Sequence, residues 1–584
     1  MFNHGALKAR LEEDPETQAW IANFYTENHL AYEAFPDEVA SPEQLRFMVY
    51  LGDEPYYYPC TDNMFNAIIN KKASDFLPLE YIKVWNRVEP LVKKVVEDEH
   101  RRRFLSTLLH IKFRHETASL VILPSRMEKR LLQIFTQVSE IHRPQANIRE
   151  RWNRRARDII NSNIFEQALN DPSGIDFKDQ TSLDEMDFNI QLVKLKRLMA
   201  LTCYPQLWKS DLTPSVRQLK KMMNTEVEGD GWEWFKNFLR RWCSRPGCTK
   251  YLLWTGSYAG EIMLDLAMIQ ILVSMGIKVI MAVKKAYYYQ AITIADILED
   301  SVLQESFSQA EIILESHISK KNLLKHLKSD KMIFVISDGT QERFNPLLAS
   351  VTFARAFKEI DAVVSRSKED YPCIFNTRFK FTRDILSITR TSHDTVLVKY
   401  KTKHRNAIRF SEADLRARAK KLIEQLQVAK QQGKTIMFYS AIVGSIPKQL
   451  ETAKKVLNTF VAYLRSRQEG VYVINPAEHF EPGMDADDIM YMWEIVQRSG
   501  MIDIWRFQTV DDIEKAFELM GEKIPPEWVG KDATYSTGCT MEMKIAQEVQ
   551  KRHPEMQIIG PPLEKFLRRK EYGVGKFYDR ALDS

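Results

Sequence analysis

The chain has 584 residues, of which 44% are hydrophobic, and it contains 21 Gly and 23 Pro. This length predicts about three domains, and the composition excludes a chain that is disordered throughout. The formal net charge is +5, with 28% charged residues of both signs. Nucleic-acid-binding domains tend to be far more basic, so nucleic acid is not an expected partner.

The six Cys are scattered along the chain, and only Cys243 and Cys248 are close in sequence, at a spacing that matches no common zinc site. The N-terminal residues are polar and contain no signal-peptide core. No run of about eighteen apolar residues occurs, so no membrane contact is expected. These features predict a cytoplasmic protein with reduced thiols.

Residues 1–240 are predicted to form a helical N-terminal region, because apolar residues recur three and four positions apart there. The clearest segments are Tyr81–Val96, His100–Ile111, Arg126–Ile141 and Leu192–Leu201.

Residues 241–405 are predicted to form an α/β domain with a doubly wound, mainly parallel sheet, since short apolar strands alternate with helices. The predicted strands are Tyr251–Trp254, Lys278–Val283, Met332–Ser337, Asp361–Val364 and Thr395–Tyr400. A charged connecting helix is predicted within residues 406–433. Residues 434–584 are predicted to form a second α/β domain, with strands Thr435–Tyr439, Val471–Asn475, Ile502–Phe507 and Gln557–Gly560.

The segment from Tyr251 to Asp296 is the most informative part of the chain. A strand meets a small-residue turn (Thr255–Gly260), and a long apolar helix and a second strand follow. In such a βαβ unit the N–H groups of the turn and of the first helical turn lack partners within the helix, which makes the turn a natural anion site.

The region from about 251 to 390 resembles the metal-dependent damage-control phosphatase family. Ser257–Glu261 stands at the family's first motif, Asp-Asn-Ala-Gly-Glu. Lys284, Lys285 and Gln290–Thr293 stand at its second motif, Lys-Gly followed by Asn-Asp-Val-Thr, without a gap. The resemblance implies a helical N-terminal region joined to an α/β domain. It also implies hydrolysis of phosphoesters with a divalent metal.

The metal ligands of that family are absent at the matching positions. The first-motif Asp and Asn and the second-motif Asp are replaced by Ser257, Tyr258 and Ala291. Carboxylates supply most of the binding energy of a hard divalent cation, and without the cation the site loses its Lewis acid. We therefore expect a protein without metal-dependent hydrolysis and without a cofactor, which acts as a binding or scaffolding module for a phosphorylated metabolite or a protein partner.

The part of the motif region that remains is cationic and rich in glycine. Our hypothesis is that it binds phosphate through Gly256, Ser257, Gly260, Lys284, Lys285 and Arg366. The alternative is that the three cations are solvated charges at strand ends. Tyr287, Tyr288 and Tyr289 either fill the vacated metal pocket or stack on a bound ring.

Two enzymatic alternatives remain open at this stage. In one, the phosphatase reaction on sugar phosphates persists with Mn, Mg, Co or Ni held by shifted ligands, for which Asp265, Asp296 and Asp338 are the nearby carboxylates. In the other, the C-terminal domain carries a separate nucleotide or sugar chemistry. A strand–turn–helix there places Gly444, Ser445 and Lys448 in the turn, although the pattern matches no phosphate-binding fingerprint.

Overall fold

The computed structural model describes residues 14–31, 40–52, 57–174, 182–243, 249–391, 395–446, 449–479 and 481–568. The chain divides into two compact units. Unit 1 comprises residues 1–318 and 322–407, and unit 2 comprises residues 319–321 and 408–584. No helix within the described ranges is long and apolar enough to cross a membrane.

The N-terminal region of unit 1 is helical, as its apolar periodicity predicts. Side-chain caps begin several of its helices; for example, Asp98 accepts the N–H of Arg101 and Ser215 accepts that of Gln218. The α-helices before the main sheet are α1 (Pro15–Glu27), α2 (Pro42–Met48), α3 (Asp62–Ile69), α4 (Leu77–Val95), α5 (Glu99–Thr117), α6 (Pro124–Ser139), α7 (Ala146–Ile160), α8 (Asn163–Leu169), α9 (Leu183–Leu201), α10 (Gln206–Lys209), α11 (Val216–Met223) and α12 (Gly231–Cys243).

The strands of unit 1 form a two-stranded and an eight-stranded sheet. They are β1 (Val49–Tyr50), β2 (Val227–Glu228), β3 (Lys250–Thr255), β4 (Ile277–Val283), β5 (Glu311–Ile313), β6 (Ile333–Ser337), β7 (Ala362–Ser365), β8 (Lys380–Phe381), β9 (Asp384–Arg390) and β10 (Val396–Lys401). β1 and β8 pair with each other in an antiparallel manner. The large sheet has the order β2-β10-β9-β7-β3-β4-β6-β5, in which only β9 and β10 pair antiparallel.

Helices connect the strands of the large sheet, and apolar residues cover both of its faces. The connecting helices are α13 (Glu261–Ser274), α14 (Ile294–Glu299), α15 (Ser301–Ser306), α16 (Lys320–Leu327), α17 (Val351–Glu359) and α18 (Tyr371–Phe375). Successive strand residues point to opposite faces. Leu253 and Ile280 therefore belong to one buried cluster, whereas Trp254 and Met281 belong to the other. Burial on both faces explains why these strands are continuous apolar runs.

Unit 2 contains a four-stranded parallel sheet with the order β12-β11-β13-β14. Its strands are β11 (Thr435–Ser440), β12 (Val471–Ile474), β13 (Ile504–Phe507) and β14 (Gln557–Ile559), and its helices are α19 (Glu412–Gln431), α20 (Leu450–Arg467), α21 (Ala486–Gln497), α22 (Val510–Met520), α23 (Thr537–Gln550) and α24 (Leu563–Arg568). Helices α20 and α22 pack together, and α21 packs against both α19 and α23.

The predicted fold class is confirmed: a helical N-terminal region precedes a mainly parallel sheet, and a second α/β part follows. The predicted domain boundaries after residues 240, 405 and 433 stay predictions. Each predicted strand is present with ends that differ by at most two residues. Five further strands, β1, β2, β5, β8 and β9, have no counterpart in the prediction from sequence.

Candidate ligand-binding cleft

Four neighbouring parallel strands of unit 1 end at the same edge of the sheet. The register pairs Thr255 at the end of β3 with both Ala282 in β4 and Ser365 in β7, and it pairs Val283 in β4 with Ser337 in β6. The residues that follow these strands therefore lie along one edge, where open α/β sheets bind ligands. Most of the residues selected from sequence lie at this edge.

Arg366 follows β7 and is only 3% exposed. Its Nε donates to Asp265 Oδ1 at 2.8 Å, its Nη1 donates to the Ile388 carbonyl at 2.6 Å, and its Nη2 contacts Glu261. Burial lowers the pKa of Arg366, but the two carboxylates raise it more, so the guanidinium stays charged. The guanidinium thus forms a buried ion-pair cluster and is not a solvated strand-end charge.

Lys284 follows β4 and is equally enclosed. Its Nζ donates to Asp338 Oδ2 at 2.7 Å, to the Glu342 carbonyl at 2.6 Å and to Thr340 Oγ1 at 3.1 Å. Burial by itself lowers the pKa of Lys284. The nearby carboxylates, above all Asp338, raise it more, so that the pKa lies above its usual value. These three acceptors match the three donors of an ammonium group. The neighbouring Lys285 is exposed.

The three positions that correspond to metal ligands in the resembled family have other contacts here. The Ser257 hydroxyl donates to Asp265 Oδ2 at 2.6 Å, and the Tyr258 hydroxyl donates to the Glu369 carboxylate and also forms a hydrogen bond of 3.0 Å with the Ser367 hydroxyl. Ala291 is buried and forms an isolated antiparallel bridge with Tyr258. Hydroxyls that donate to carboxylates and a methyl group do not fit a hard divalent cation.

The three carboxylates considered as shifted ligands are all paired with cations. Asp265 contacts Arg366, and Asp338 contacts Lys284. Asp296 contacts Arg143 and Arg149, and it also forms the capping box at the start of α14. Among the described residues, no group of three or more His, Cys, Asp or Glu side chains is arranged to hold a metal ion.

The glycines of the first turn allow close packing within the protein. Gly260 has φ +79°, and a Cβ there would lie 2.1 Å from the ring of Trp208 in α10. Gly256 has φ +83°, and a Cβ there would lie 2.7 Å from Ser367. The N–H of Gly260 donates to Asn153 Oδ1 at 2.6 Å. Both positions thus require glycine whether or not a ligand approaches.

A cleft with a volume of about 410 Å³ lies beside this edge. Its wall includes Tyr258, Glu261 and Glu369 from the sheet edge. The pKa of Glu261 is raised, mainly because the carboxyl group is buried. Arg366 lowers this pKa, whereas Asp265 raises it further. A carboxyl group with a raised pKa can donate a hydrogen bond to an oxygen of a ligand near neutral pH.

Two cations that line the cleft lie over aromatic rings. The Arg87 guanidinium lies 4.1 Å from the centroid of the Tyr289 ring, and Lys209 Nζ lies 4.8 Å from the centroid of the Trp152 ring. All four residues line the cleft. Stacking on a ring helps to hold each cation at the cleft wall.

The Tyr287-Tyr288-Tyr289 run contributes to this wall. Tyr287 and Tyr288 are buried. The hydroxyls of Tyr288 and Tyr289 donate to the buried Glu128 at 3.0 and 2.9 Å, and Arg87 approaches the same carboxylate at 3.2 Å. Because these hydroxyls are anchored in the protein, the rings of Tyr288 and Tyr289 form a fixed surface of the cleft.

Sequence reasoning missed the residues that the helical region supplies, namely Arg87, Trp152, Trp208 and Lys209. They lie on α4, α7 and α10, far along the chain from the sheet edge, and no local pattern distinguishes them from other helix residues. Glu369 had a signal, because it lies three residues after Arg366 in the same strand-end segment.

The crystal structure of a duf89 family protein from Pyrococcus horikoshii matches with 14% sequence identity and a TM-score of 0.38, over 55% of this chain and 96% of that chain. No protein-family profile matches the chain, and no curated protein matches it.

Proposed function

We propose that unit 1 is a damage-control-phosphatase-like binding module that holds a phosphorylated small molecule in the cleft, without a divalent metal and without hydrolysing it. The observation that carries this proposal is the composition of the cleft wall. Arg87 and Lys209 lie over aromatic rings there, and the same wall includes Tyr258, which stands at one of the family's metal-ligand positions.

The ion pairs at the sheet edge support the absence of metal-dependent hydrolysis. In-line displacement with a metal needs carboxylates that are free to bind the cation. Here Asp265 and Asp338 each compensate a buried cation. To bind a metal, Asp265 or Asp338 would have to give up its ion pair with the buried Arg366 or Lys284, and weakening a buried ion pair destabilises the fold.

The dimensions and polarity of the cleft support a small phosphorylated ligand. Its volume of about 410 Å³ lies within the range of about 300–1,000 Å³ that is usual for small-molecule sites. In this proposal the phosphate contacts Arg87 and Lys209, and the body of the ligand stacks on the Tyr and Trp rings. Lys284 and Arg366 support the site from within by neutralising its carboxylates.

Binding is tested by isothermal titration of the full-length chain with glucose 6-phosphate and with AMP, both in EDTA. We expect saturable binding of at least one ligand in the wild type. Lys209→Gln should weaken it about tenfold, which corresponds to about 1.4 kcal/mol. The exposed Lys221 on α11 provides a matched control, and Lys221→Gln should leave the affinity unchanged.

Catalysis is tested separately with p-nitrophenyl phosphate in the presence of Mn²⁺, Mg²⁺, Co²⁺ or Ni²⁺. We expect no metal-dependent release of nitrophenolate. Release that requires one of these ions and is abolished by Asp265→Asn would favour the active enzyme with shifted ligands and contradict the proposal.

A further inference from the structure

The sheet of unit 2 has a topological switch point between β11 and β13. The chain leaves β11 through α20 to reach β12 on one side, and then returns through α21 to β13 on the other side of β11. The connecting helices α20 and α21 pack in separate groups, α20 with α22 and α21 with α19 and α23. Crevices outside the carboxyl ends of strands at such a point are the usual ligand sites of open α/β sheets.

A cluster of uncharged and titratable polar side chains lies at this point. We call Ser440, Gln497 and Glu542 the unit 2 cluster. Ser440 ends β11, Gln497 is the last residue of α21, and Glu542 lies in the second turn of α23. Gln497 Nε2 donates to Glu542 Oε1 at 2.9 Å, and Ser440 also hydrogen-bonds to the Glu542 carboxyl group. The three residues are at most 7% exposed.

Neither of these partners of Glu542 carries a charge, unlike those of the buried carboxylates Asp265 and Asp296 in unit 1. Burial raises the pKa of Glu542 to about 7, against the smaller lowering effect of its hydrogen bonds to Ser440 and Gln497. The carboxyl group is therefore partly protonated at neutral pH and both donates and accepts hydrogen bonds. Burying a carboxyl group without a neighbouring cation lowers the stability of the folded protein. Carboxyl groups with shifted pKa values are concentrated at functional sites.

Two further buried polar atoms on the same face of α21 have no hydrogen-bond partner within the described part of the chain. They are Gln497 Oε1, on the amide that already donates to Glu542, and Trp493 Nε1, one helical turn earlier. Both side chains are at most 2% exposed. Since nearly all buried polar groups in folded proteins are paired, an acceptor and a donor left over at one place call for a polar occupant.

We propose that the unit 2 cluster is a binding site for a neutral, hydroxyl-bearing small molecule of the sugar type. Hydroxyl groups both donate and accept, so they match a carboxyl, an amide oxygen and an indole N–H together. An anion would face the carboxylate form of Glu542 without a compensating cation among the cluster residues, and an isolated ammonium group would leave Trp493 Nε1 unpaired.

The loop after β11 starts next to this site and reaches the protein surface. Ala441 and Val443 are half-buried, and Gly444 is exposed. Cys539 Sγ donates to the Ala441 carbonyl at 3.3 Å, which attaches the start of the loop to the start of α23. Of the turn residues considered from sequence, Gly444 and Ser445 lie in this loop, and Lys448 lies outside the described residues.

The test is saturation-transfer NMR on the full-length chain with D-ribose, D-glucose and myo-inositol as probes. We expect transfer to the ring protons of at least one probe. It should fall at least fivefold in Gln497→Met, which keeps the side-chain volume but removes the amide. Glu548→Gln changes an exposed carboxylate on α23, the helix of Glu542, and should leave the transfer unchanged.

Ser440→Ala provides a second, smaller change if Gln497→Met does not fold, and we expect it to reduce the same transfer. The absence of transfer to all three probes in the wild type would overturn the proposal. So would transfer that persists undiminished in a folded Gln497→Met or Ser440→Ala protein. The unit 1 cleft is not altered by these substitutions, so this outcome is independent of phosphate binding there.

Discussion

Lys284 and Lys285 are adjacent in sequence, yet the structure gives them different roles. Lys284 is 8% exposed and donates to Asp338, Thr340 and the Glu342 carbonyl, whereas Lys285 is exposed. Removing one partner of a buried ion pair leaves the other charge uncompensated, while an exposed lysine contributes little to stability. The two lysines therefore form a matched pair for mutation.

We predict that Lys284→Met lowers the free energy of unfolding by about 3 kcal/mol and that Lys285→Met changes it by less than about 0.5 kcal/mol. Urea denaturation of the two full-length variants, followed by circular dichroism, measures the difference. Equal stabilities would show that the Lys284–Asp338 pair is not a structural element of the sheet edge.

Glu542 predicts a dependence of stability on pH with a defined sign. The pKa of its carboxyl group is about 7 in the folded protein, against an ordinary value of 4.5. Between these values the folded state binds more protons than the unfolded state, so stability falls as pH rises through this window. The expected loss is on the order of 3 kcal/mol, because one pKa unit corresponds to about 1.4 kcal/mol.

The measurement is the difference in unfolding free energy between the wild type and Glu542→Gln at several pH values from 4.5 to 8. Other titrating groups cancel in this difference. The wild type should lose stability relative to the variant up to about pH 7 and then level off. A difference that is independent of pH would show that Glu542 is charged in the folded state.

At the scale of elements, the first strand–turn–helix of unit 1 depends on a close contact with a distant helix. Gly260 begins α13 with a positive φ, and the Trp208 ring of α10 occupies the space where a Cβ would lie. We predict that Gly260→Ala costs at least about 2 kcal/mol, since the backbone strain and the clash add.

Thermal unfolding of Gly260→Ala checks this prediction against Gly276→Ala, the glycine that follows α13. Gly276 also has a positive φ, but a Cβ there would meet nothing within 4 Å. The lowering of Tm should therefore be clearly larger for Gly260→Ala. Equal losses would mean that strain alone, without the contact to Trp208, makes glycine necessary.

The strands that could be predicted from sequence are those with continuous apolar runs, because burial on both faces leaves a strong pattern. β5 has only three residues, and β9 directly follows the short β8, so neither forms an isolated apolar run. The alignment of Lys284, Arg366 and Ser257 at one edge followed from strand order. Their ion-pair partners, and the aromatic rings that line the cleft, are brought together by tertiary packing. Local sequence patterns do not predict such contacts.

At the scale of the whole molecule, the helical region and the main sheet of unit 1 share their cores. One buried cluster joins residues of α1–α6 to sheet residues such as Leu253, and the other joins α7–α12 to sheet residues such as Trp254. The cleft is shared in the same way, since Arg87 and Lys209 come from the helical region.

We therefore predict that residues 1–407 fold as a fragment with cooperative thermal unfolding, whereas residues 241–407 alone do not. The shorter fragment would expose the apolar faces that the helices cover. Circular dichroism melting curves of the two fragments show which of them unfolds cooperatively. A cooperative transition of residues 241–407 would contradict the prediction that the helical region and the sheet share their cores.

The central claim is that the unit 1 cleft binds a phosphorylated molecule without a metal and leaves it intact. Phosphorus NMR of glucose 6-phosphate and AMP with the full-length protein, in EDTA and then in excess Mg²⁺, reports binding and hydrolysis in one sample. The account predicts broadened or shifted ligand resonances already in EDTA, and no inorganic phosphate after Mg²⁺ is added. Ligand resonances unaffected in EDTA, or inorganic phosphate that forms only with Mg²⁺, would contradict it.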